Sequence, residues 1–239
     1  SIESLPEIQQ PSPGSPSICI IDSGIMQGHP LLGPAIGDSA CFPDELGDTS
    51  DVEGHGTKVA GLALYGDILT LIRSGTFKPE YRIFSARVTN SNNRFDDEKL
   101  ITTQMRDAIR YFYDEYGCKI YNISLGDDEN VYVDGKQTLW ASVLDELIRE
   151  LDIVVVVSAG NHFYYPDDPE NILSEYPGFL FNQQSKIIDP ASAALALTVG
   201  SYCANYVAPA ISGMTIERGV NLRVIGKENH PSPFTRTGP

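Results

Sequence analysis

The sequence has 239 residues, of which 41% are hydrophobic, 21% charged and 9% aromatic, a composition that suits one globular domain with a large core. Its 17 Lys and Arg residues against 32 Asp and Glu residues give a formal net charge of −15, which argues against nucleic acid or an anionic membrane surface as a partner. No apolar run approaches the roughly 18 residues needed to cross a bilayer.

The N-terminal segment 1–17 differs in composition from the rest of the chain. It contains four prolines among Ser and Gln, and such a segment cannot repay the entropy of its own ordering. We therefore expect 1–17 to form an arm and 18–239 to form a single domain. The four cysteines lie far apart without CxxC spacing, which argues against a metal site built on them.

The domain alternates between two kinds of apolar pattern. Five short, mostly apolar runs are typical of buried strands: Ile18–Ile21, Ile83–Val88, Ile120–Leu125, Ile153–Val157 and Leu195–Val199. Between them, apolar residues recur at helical spacing from Ile101 to Phe112 and from Leu139 to Ile148. This alternation predicts an α/β fold of three layers, in which a mainly parallel β-sheet carries helices on both faces.

Ligands of such sheets bind beyond the carboxyl ends of the strands, so residues that follow a run are the first candidates for function. Asp22 follows the first run, and Ser23 and Gly24 permit a tight turn that leaves its carboxylate at the sheet edge. This Asp could accept a phosphoryl group, bind a metal ion or orient a catalytic histidine. A phosphatase-type acceptor carries a second acid two residues later, where Gly24 stands, which argues against the first use.

His55 lies in the sequence Gly54-His55-Gly56-Thr57, which leads into an apolar stretch typical of a helix. At the start of a helix the macrodipole disfavours a protonated imidazole, so a proton-transferring His there needs a carboxylate partner. Asp22 could be that partner. The alternative is a structural His between two glycines.

Two segments follow the predicted strands in the middle of the chain. They are Ser124, Leu125 and Gly126 after one strand, and Ser158, Ala159, Gly160 and Asn161 after the next. The side chain of Asn161 could donate an amide hydrogen bond to a developing tetrahedral oxygen. The alternative is a turn residue, because Asn is common in turns.

In content and order, these motifs resemble those of the subtilisin-like serine proteases, the subtilases. Three more segments fit the resemblance: His29-Pro30, Asp189-Pro190-Ala191 and Ser232–Pro239. It extends from Ile18 to Pro239 and implies a subtilisin-like fold and a serine endopeptidase that acts on extended polypeptides. It implies no required cofactor.

The resemblance also implies a role for each candidate residue. Asp22 is the acid of an Asp-His-Ser triad, His55 is the general base and then the general acid, and Asn161 donates to the oxyanion. The pocket for the residue before the cut has two walls, and an extended substrate pairs its backbone with them by strand addition. These walls are Ser124, Leu125 and Gly126 on one side and Ser158, Ala159 and Gly160 on the other.

The family's nucleophile lies in a Gly-Thr-Ser motif that opens a helix, and no such motif follows Asn161. In the family, the segment similar to Ser232–Pro239 precedes this motif. We therefore expect 18–239 to be a catalytic domain that lacks its C-terminal part, including a helix packed on the sheet. That segment is then an expected partner, and the chain alone is expected to be inactive. The alternative is an inactive subtilase-fold module that binds peptides.

Acidic residues and one further segment lead to three more hypotheses. Acids from Asp127 to Asp134 would favour Lys or Arg in the substrate if they face the cleft, with a solvated surface as the alternative. A structural calcium ion could bind an acidic loop that lacks EF-hand spacing: Asp44, Glu45, Asp48, Asp51 and Glu53.

The segment Gly61–Asp67 is similar to a bacterial subtilase branch whose members often lack export signals. This likeness favours the bacterial cytoplasm, with secretion as the alternative.

Overall fold

The computed structural model describes residues 8–96, 98–167, 171–204 and 225–238. The strands in these ranges are β1 (Ser17–Asp22), β2 (Ile36–Cys41), β3 (Arg82–Arg87), β4 (Ile120–Ile123), β5 (Asp127–Val131), β6 (Val154–Ser158), β7 (Ile188–Asp189) and β8 (Leu197–Val199). The helices are α1 (His55–Tyr65), α2 (Ile68–Ser74), α3 (Ile101–Tyr116), α4 (Leu139–Leu151) and α5 (Ile172–Glu175). Within the described ranges, none of these helices combines the length and apolar character needed to cross a membrane.

Six strands form one parallel sheet in the order β2-β3-β1-β4-β6-β8, and β5 pairs with β7 in a small antiparallel sheet. The chain builds the sheet on one side of β1 with β2 and β3, and then crosses to the other side for β4, β6 and β8. The order therefore reverses at β1. In open α/β sheets the ligand crevice lies at such a reversal, beyond the carboxyl ends of the strands.

The larger part of the core lies between the sheet and the helices α3 and α4. Both helices bury an apolar stripe at helical spacing, represented by Met105 and Phe112 on α3 and by Leu144 and Leu147 on α4. These side chains pack against one face of the central strands. This layer fixes the positions of β4 and β6, whose carboxyl ends lead into the candidate site.

The smaller part of the core lies on the opposite face, where α1 packs against β1 and β3. Ala60 and Leu64 of α1 meet Ile20 of β1 and Ile83 of β3. Helices therefore cover both faces of a mostly parallel sheet, which confirms the predicted three-layer α/β fold.

Beyond α1, the same face of the sheet carries exposed apolar side chains on β4, β6 and β8. Ile120, Val154, Leu197 and Val199 are between 37% and 58% exposed, and the strand pairing places them on one face with Ile20. The sequence prediction that Leu195–Val199 is a buried strand is therefore wrong. Strand β8 starts at Leu197 and occupies the sheet edge, where no described residue covers this face.

The N-terminal segment is partly packed on the domain. Ile8 and Pro11 are buried, and β1 begins at Ser17, one residue before the predicted start of the domain. The backbone of Pro16 accepts a hydrogen bond from the N–H of Arg82, which continues the pairing of β1 with β3. Residues 1–7 of the predicted arm lie outside the described residues.

Truncation of Leu147 tests the core between α4 and the sheet. Leu147 is fully buried, whereas Leu139 on the same helix is 67% exposed. We expect Leu147→Ala to lower the free energy of unfolding by about 2–5 kcal/mol, because it removes buried methyl groups and leaves a cavity. Leu139→Ala is the control and should change it by less than about 0.5 kcal/mol. Urea unfolding of the wild type and the two variants measures both effects. Equal losses of unfolding free energy in Leu147→Ala and Leu139→Ala would contradict this account of the core.

Candidate active site

Asp22 is the last residue of β1 and lies at the reversal of strand order. Its side chain is fully buried. One carboxylate oxygen, Oδ1, accepts a hydrogen bond of 2.8 Å from the N–H of Ser23 and lies 2.7 Å from Nδ1 of His55. The end of a buried strand thus holds a carboxylate that faces the first residue of α1.

Two glycines allow β1 and α1 to approach this closely. Gly24 has a φ of +101°, and a Cβ there would lie 2.5 Å from the carbonyl oxygen of Thr49. A Cβ at Gly56, the second residue of α1, would lie 2.1 Å from the carbonyl oxygen of Gly24. No side chain fits at either position, so the glycines of both sequence motifs are needed for backbone contact.

His55 is the first residue of α1, and its side chain is 45% exposed. Because a buried carboxylate only accepts hydrogen bonds, Nδ1 of His55 carries the proton that it shares with Asp22. The hydrogen bond that His55 donates to Asp22 raises the pKa of His55 above its usual value, although burial acts in the opposite direction and lowers it. The Nε2 atom of the neutral ring therefore remains an acceptor, and the pair can take up a proton and stabilise it.

Asn161 and the two predicted pocket segments lie at the same edge of the sheet as Asp22. Ser124, Leu125 and Gly126 directly follow β4, whereas Ser158 is the last residue of β6 and Ala159, Gly160 and Asn161 follow it. Strand β4 lies between β1 and β6, so Asp22 and Asn161 are separated by one strand. The structure therefore brings Asp22 and His55 into direct contact and places Asn161, which is exposed, at the same edge of the sheet one strand away.

The sequence analysis missed Ile188, which fills the space between the two pocket segments. A Cβ at Gly126 would lie 2.8 Å from Cδ1 of Ile188, and a Cβ at Gly160 would lie 2.7 Å from the same atom. The side chain of Ile188 is buried and lies against the backbone of both segments. No local pattern identifies Ile188, because β7 has only two residues.

Arg236 is a second residue that the sequence analysis did not single out. Its buried guanidinium donates to the backbone oxygens of Asn161, Gln184 and Lys186 at 2.8–2.9 Å. None of the ion pairs among the described residues includes it. Burial lowers the pKa of this guanidinium, although arginine keeps its proton in proteins. A buried cation thus fixes the backbone of Asn161 to two other loops.

The acids proposed as calcium ligands do not converge. Asp51 points inward and bonds to Ser23, Gly54 and Thr57, and Glu45 pairs with Lys99. Within the described ranges, no three side chains of His, Cys, Asp or Glu come together closely enough to hold a metal ion. Two of these carboxylates are therefore already engaged by protein donors in this structure.

The sequence model of the subtilase family, peptidase S8, matches residues 14–239 of the chain. Among curated proteins, the chain is 39% identical over 140 residues to an uncharacterised protein of Sinorhizobium fredii, with 57% of this chain and 31% of that protein covered. It is 35% identical over 125 residues to the nisin leader peptide-processing serine protease NisP of Lactococcus lactis, with 46% and 16% covered. The chain thus spans less than a third of the length of these relatives.

Among solved structures, the fold is similar to that of a cold-adapted subtilisin-like serine proteinase. The TM-score is 0.50 and the sequence identity is 21%, with 80% of this chain and 56% of that chain covered. At this identity the likeness supports the fold alone, in agreement with the parallel sheet and its two helical layers.

The raised pKa of His55 predicts a pH-dependent contribution to stability. A group whose pKa is higher in the folded than in the unfolded protein stabilises the fold below its unfolded pKa, ~6.5, and loses this contribution as the pH rises through its folded pKa. We therefore expect the stability advantage of the wild type over His55→Gln to be largest below about pH 6.5 and to decline above it. Urea unfolding at several pH values measures this difference.

The exposed His230 provides the control, because the one hydrogen bond of its ring to the described residues is to the carbonyl oxygen of Glu228. His230→Gln should leave the pH dependence of stability unchanged. If the stability advantage of the wild type over His55→Gln grew with pH, it would contradict the proposed effect of Asp22.

Proposed function

Because this chain belongs to the subtilase family, we propose that it forms part of a serine endopeptidase that cleaves peptide bonds of extended polypeptides. The observation that carries the proposal is the 2.7 Å contact between Nδ1 of His55 and Oδ1 of Asp22. This contact leaves Nε2 free to take a proton, as general base catalysis requires. The similarity to NisP, a serine protease that processes a leader peptide, is consistent with a polypeptide substrate.

In the proposed reaction, Nε2 of His55 removes the hydroxyl proton of a serine while the serine oxygen attacks the carbonyl carbon of the scissile bond. The electrons of the carbonyl bond move to its oxygen, to which the amide of Asn161 donates a hydrogen bond. The imidazolium, stabilised by Asp22, then gives its proton to the leaving amine as the C–N bond breaks. A water molecule then attacks the acyl carbon while Nε2 of His55 takes one of its protons. His55 gives this proton to the serine oxygen as the ester C–O bond breaks and the carboxylic acid product leaves. These steps require no cofactor.

The proposed nucleophile lies beyond Pro239. The chain has no Gly-Thr-Ser motif after Asn161, and the family places that motif after the segment similar to Ser232–Pro239. The exposed apolar face of β4, β6 and β8 is consistent with a further segment that carries the serine and packs there. On this proposal, the 239 residues alone do not hydrolyse peptides.

The proposed substrate lies in extended form between the segments that follow β4 and β6. Its backbone pairs with theirs, and the residue before the cut points into the gap between Gly126 and Gly160. Because the side chain of Ile188 lies close to both Gly126 and Gly160, we propose a preference for Gly, Ala or Ser at that position. The acids Asp128 and Glu129 on β5 are exposed, and the earlier hypothesis of a preference for Lys or Arg predicts a different outcome in the same assay.

Fluorophosphonate labelling tests the proposed function. The reagent is applied to the 239-residue chain and to the protein extended through its native downstream sequence, and mass spectrometry locates the adduct. We expect a label on one serine beyond Pro239 in the extended protein, and none on the 239-residue chain. His55→Ala should remove the label, because no other side chain takes the serine proton.

His230→Ala is the matched control and should keep full labelling. A label that persists in His55→Ala would contradict the role of His55. A folded extended protein that never reacts would reject the protease proposal and favour the peptide-binding alternative.

Enlargement of the pocket tests the substrate preference. In the extended protein, Ile188→Ala should raise kcat/KM for a peptide with Leu before the cut, relative to one with Ala, by about 10-fold or more. Ile187→Ala is the control, because Ile187 is equally large but belongs to the core beneath the sheet. A peptide with Arg at the same position is included, and a preference for Arg in the wild type would reject the small-residue proposal.

A further inference from the structure

Asp51 is a second buried carboxylate beside the Asp22–His55 pair, and no step described so far uses it. It lies in the loop before α1 and is 7% exposed. Its Oδ1 accepts from the hydroxyl of Ser23 at 2.9 Å and from the N–H of Gly54 at 2.8 Å. Its Oδ2 accepts from the N–H and the hydroxyl of Thr57 at 2.8 and 2.6 Å. Both oxygens are thus saturated with donors.

These contacts hold the first turn of α1, where His55 is located. Residue 54, which immediately precedes the helix, is a glycine with no side chain to cap it. Asp51 replaces the missing cap by accepting the N–H of Thr57, and Ser23 accepts the N–H of Gly56 at 3.1 Å. The backbone on both sides of His55 is therefore tied to Asp51 directly or through Ser23.

Ser23 also connects the two carboxylates. Its hydroxyl oxygen lies 2.9 Å from Oδ1 of Asp51 and 3.2 Å from Oδ1 of Asp22. A hydroxyl has one proton to donate, and the shorter distance assigns it to Asp51. Oδ1 of Asp22 is then left with the N–H of Ser23 and with Nδ1 of His55.

Asp51 remains negatively charged in this environment. Burial by itself raises its pKa, but the hydrogen bonds from Thr57, Gly54 and Ser23 outweigh this effect and lower it. The charged groups that act on His55 come from three elements: Asp22 on β1, Asp51 in the loop and Lys58 on α1. The first two favour the protonated ring and Lys58 disfavours it.

We propose that Asp51 is a positioning residue, which holds His55 against Asp22 and stabilises its protonated form by its negative charge. This inference rests on the proposed function, in which His55 alternates between the neutral and the protonated ring. It assigns two carboxylates to one histidine: Asp22 by direct contact and Asp51 through the helix start. The anion also lies where the positive end of the helix macrodipole favours a negative charge.

NMR titration of the 239-residue chain tests this role without any protease activity. The readout is the pH midpoint of the Hε1 signal of His55, which is assigned by its absence in His55→Gln. We expect Asp51→Asn to shift this midpoint to lower pH, because the removal of a nearby negative charge disfavours the imidazolium. Asp48→Asn is the matched control, since Asp48 is exposed, lies in the same loop and accepts the N–H of Ser50 rather than a group of α1.

Variants that carry no charge at position 51 are called neutral variants. A second one covers the case in which Asp51→Asn does not fold. Asp51→Ser keeps a hydroxyl that can accept one of the helix N–H groups and also removes the charge. A lower midpoint in either folded neutral variant, with an unchanged midpoint in Asp48→Asn, supports the proposal. An unchanged midpoint in a folded neutral variant overturns it. Failure of both neutral variants to fold, while Asp48→Asn folds, also overturns it, because Asp51 then serves folding alone.

A pH profile of the extended protein separates this inference from the proposed function. If the protein hydrolyses peptides, the acid limb of kcat/KM should move to lower pH in the folded neutral variant, together with the NMR midpoint. If it hydrolyses nothing, the proposed function fails, and the NMR midpoint still decides whether Asp51 acts on His55.

Discussion

The organisation of the candidate site depends on the close approach between the end of β1 and the start of α1. The hydrogen bond from His55 to Asp22 forms only because the turn after the strand touches the backbone of the helix, at Gly24 and Gly56. This contact brings together two residues that are 33 positions apart. The parallel sheet supports it, since it holds β1 at its centre and places α1 across its face.

The two helical layers contribute unequally to this arrangement. The layer of α3 and α4 contains most of the buried apolar residues and fixes β4 and β6, which lead into the pocket segments. The layer that contains α1 covers only the β1 side of the opposite face and leaves apolar side chains of β4, β6 and β8 exposed. The Asp22–His55 pair therefore lies on the side that α1 covers, whereas Asn161 lies on the side of β6 and β8.

The sequence predicts those strands, helices and motifs that depend on a short stretch of neighbouring residues. The runs of β1, β3, β4 and β6 are mostly apolar, and the two longest helices show clear helical spacing. The motifs around Asp22 and His55 carry glycines that the close approach requires.

Features that depend on distant contacts could not be predicted. Strand β5, with the sequence Asp127–Val131, is mostly acidic or polar and forms by pairing with β7. Strand β8 resembles a buried strand in sequence, but its position at the sheet edge leaves it exposed. Ile188 and Arg236 meet their partners across 28 to 75 positions of the chain, which no spacing rule detects.

The anchor formed by Arg236 differs in kind from the pair formed by Asp22 and His55. The histidine changes its charge near neutral pH, whereas a guanidinium keeps its proton throughout that range. Its three bonds to backbone oxygens involve no other titratable group. The loop that carries Asn161 is thus held by a clamp that is insensitive to acidity. As the medium becomes more acidic, the Asp22–His55 pair gains a proton, whereas the guanidinium of Arg236 keeps both its charge and its donors to the backbone of Asn161.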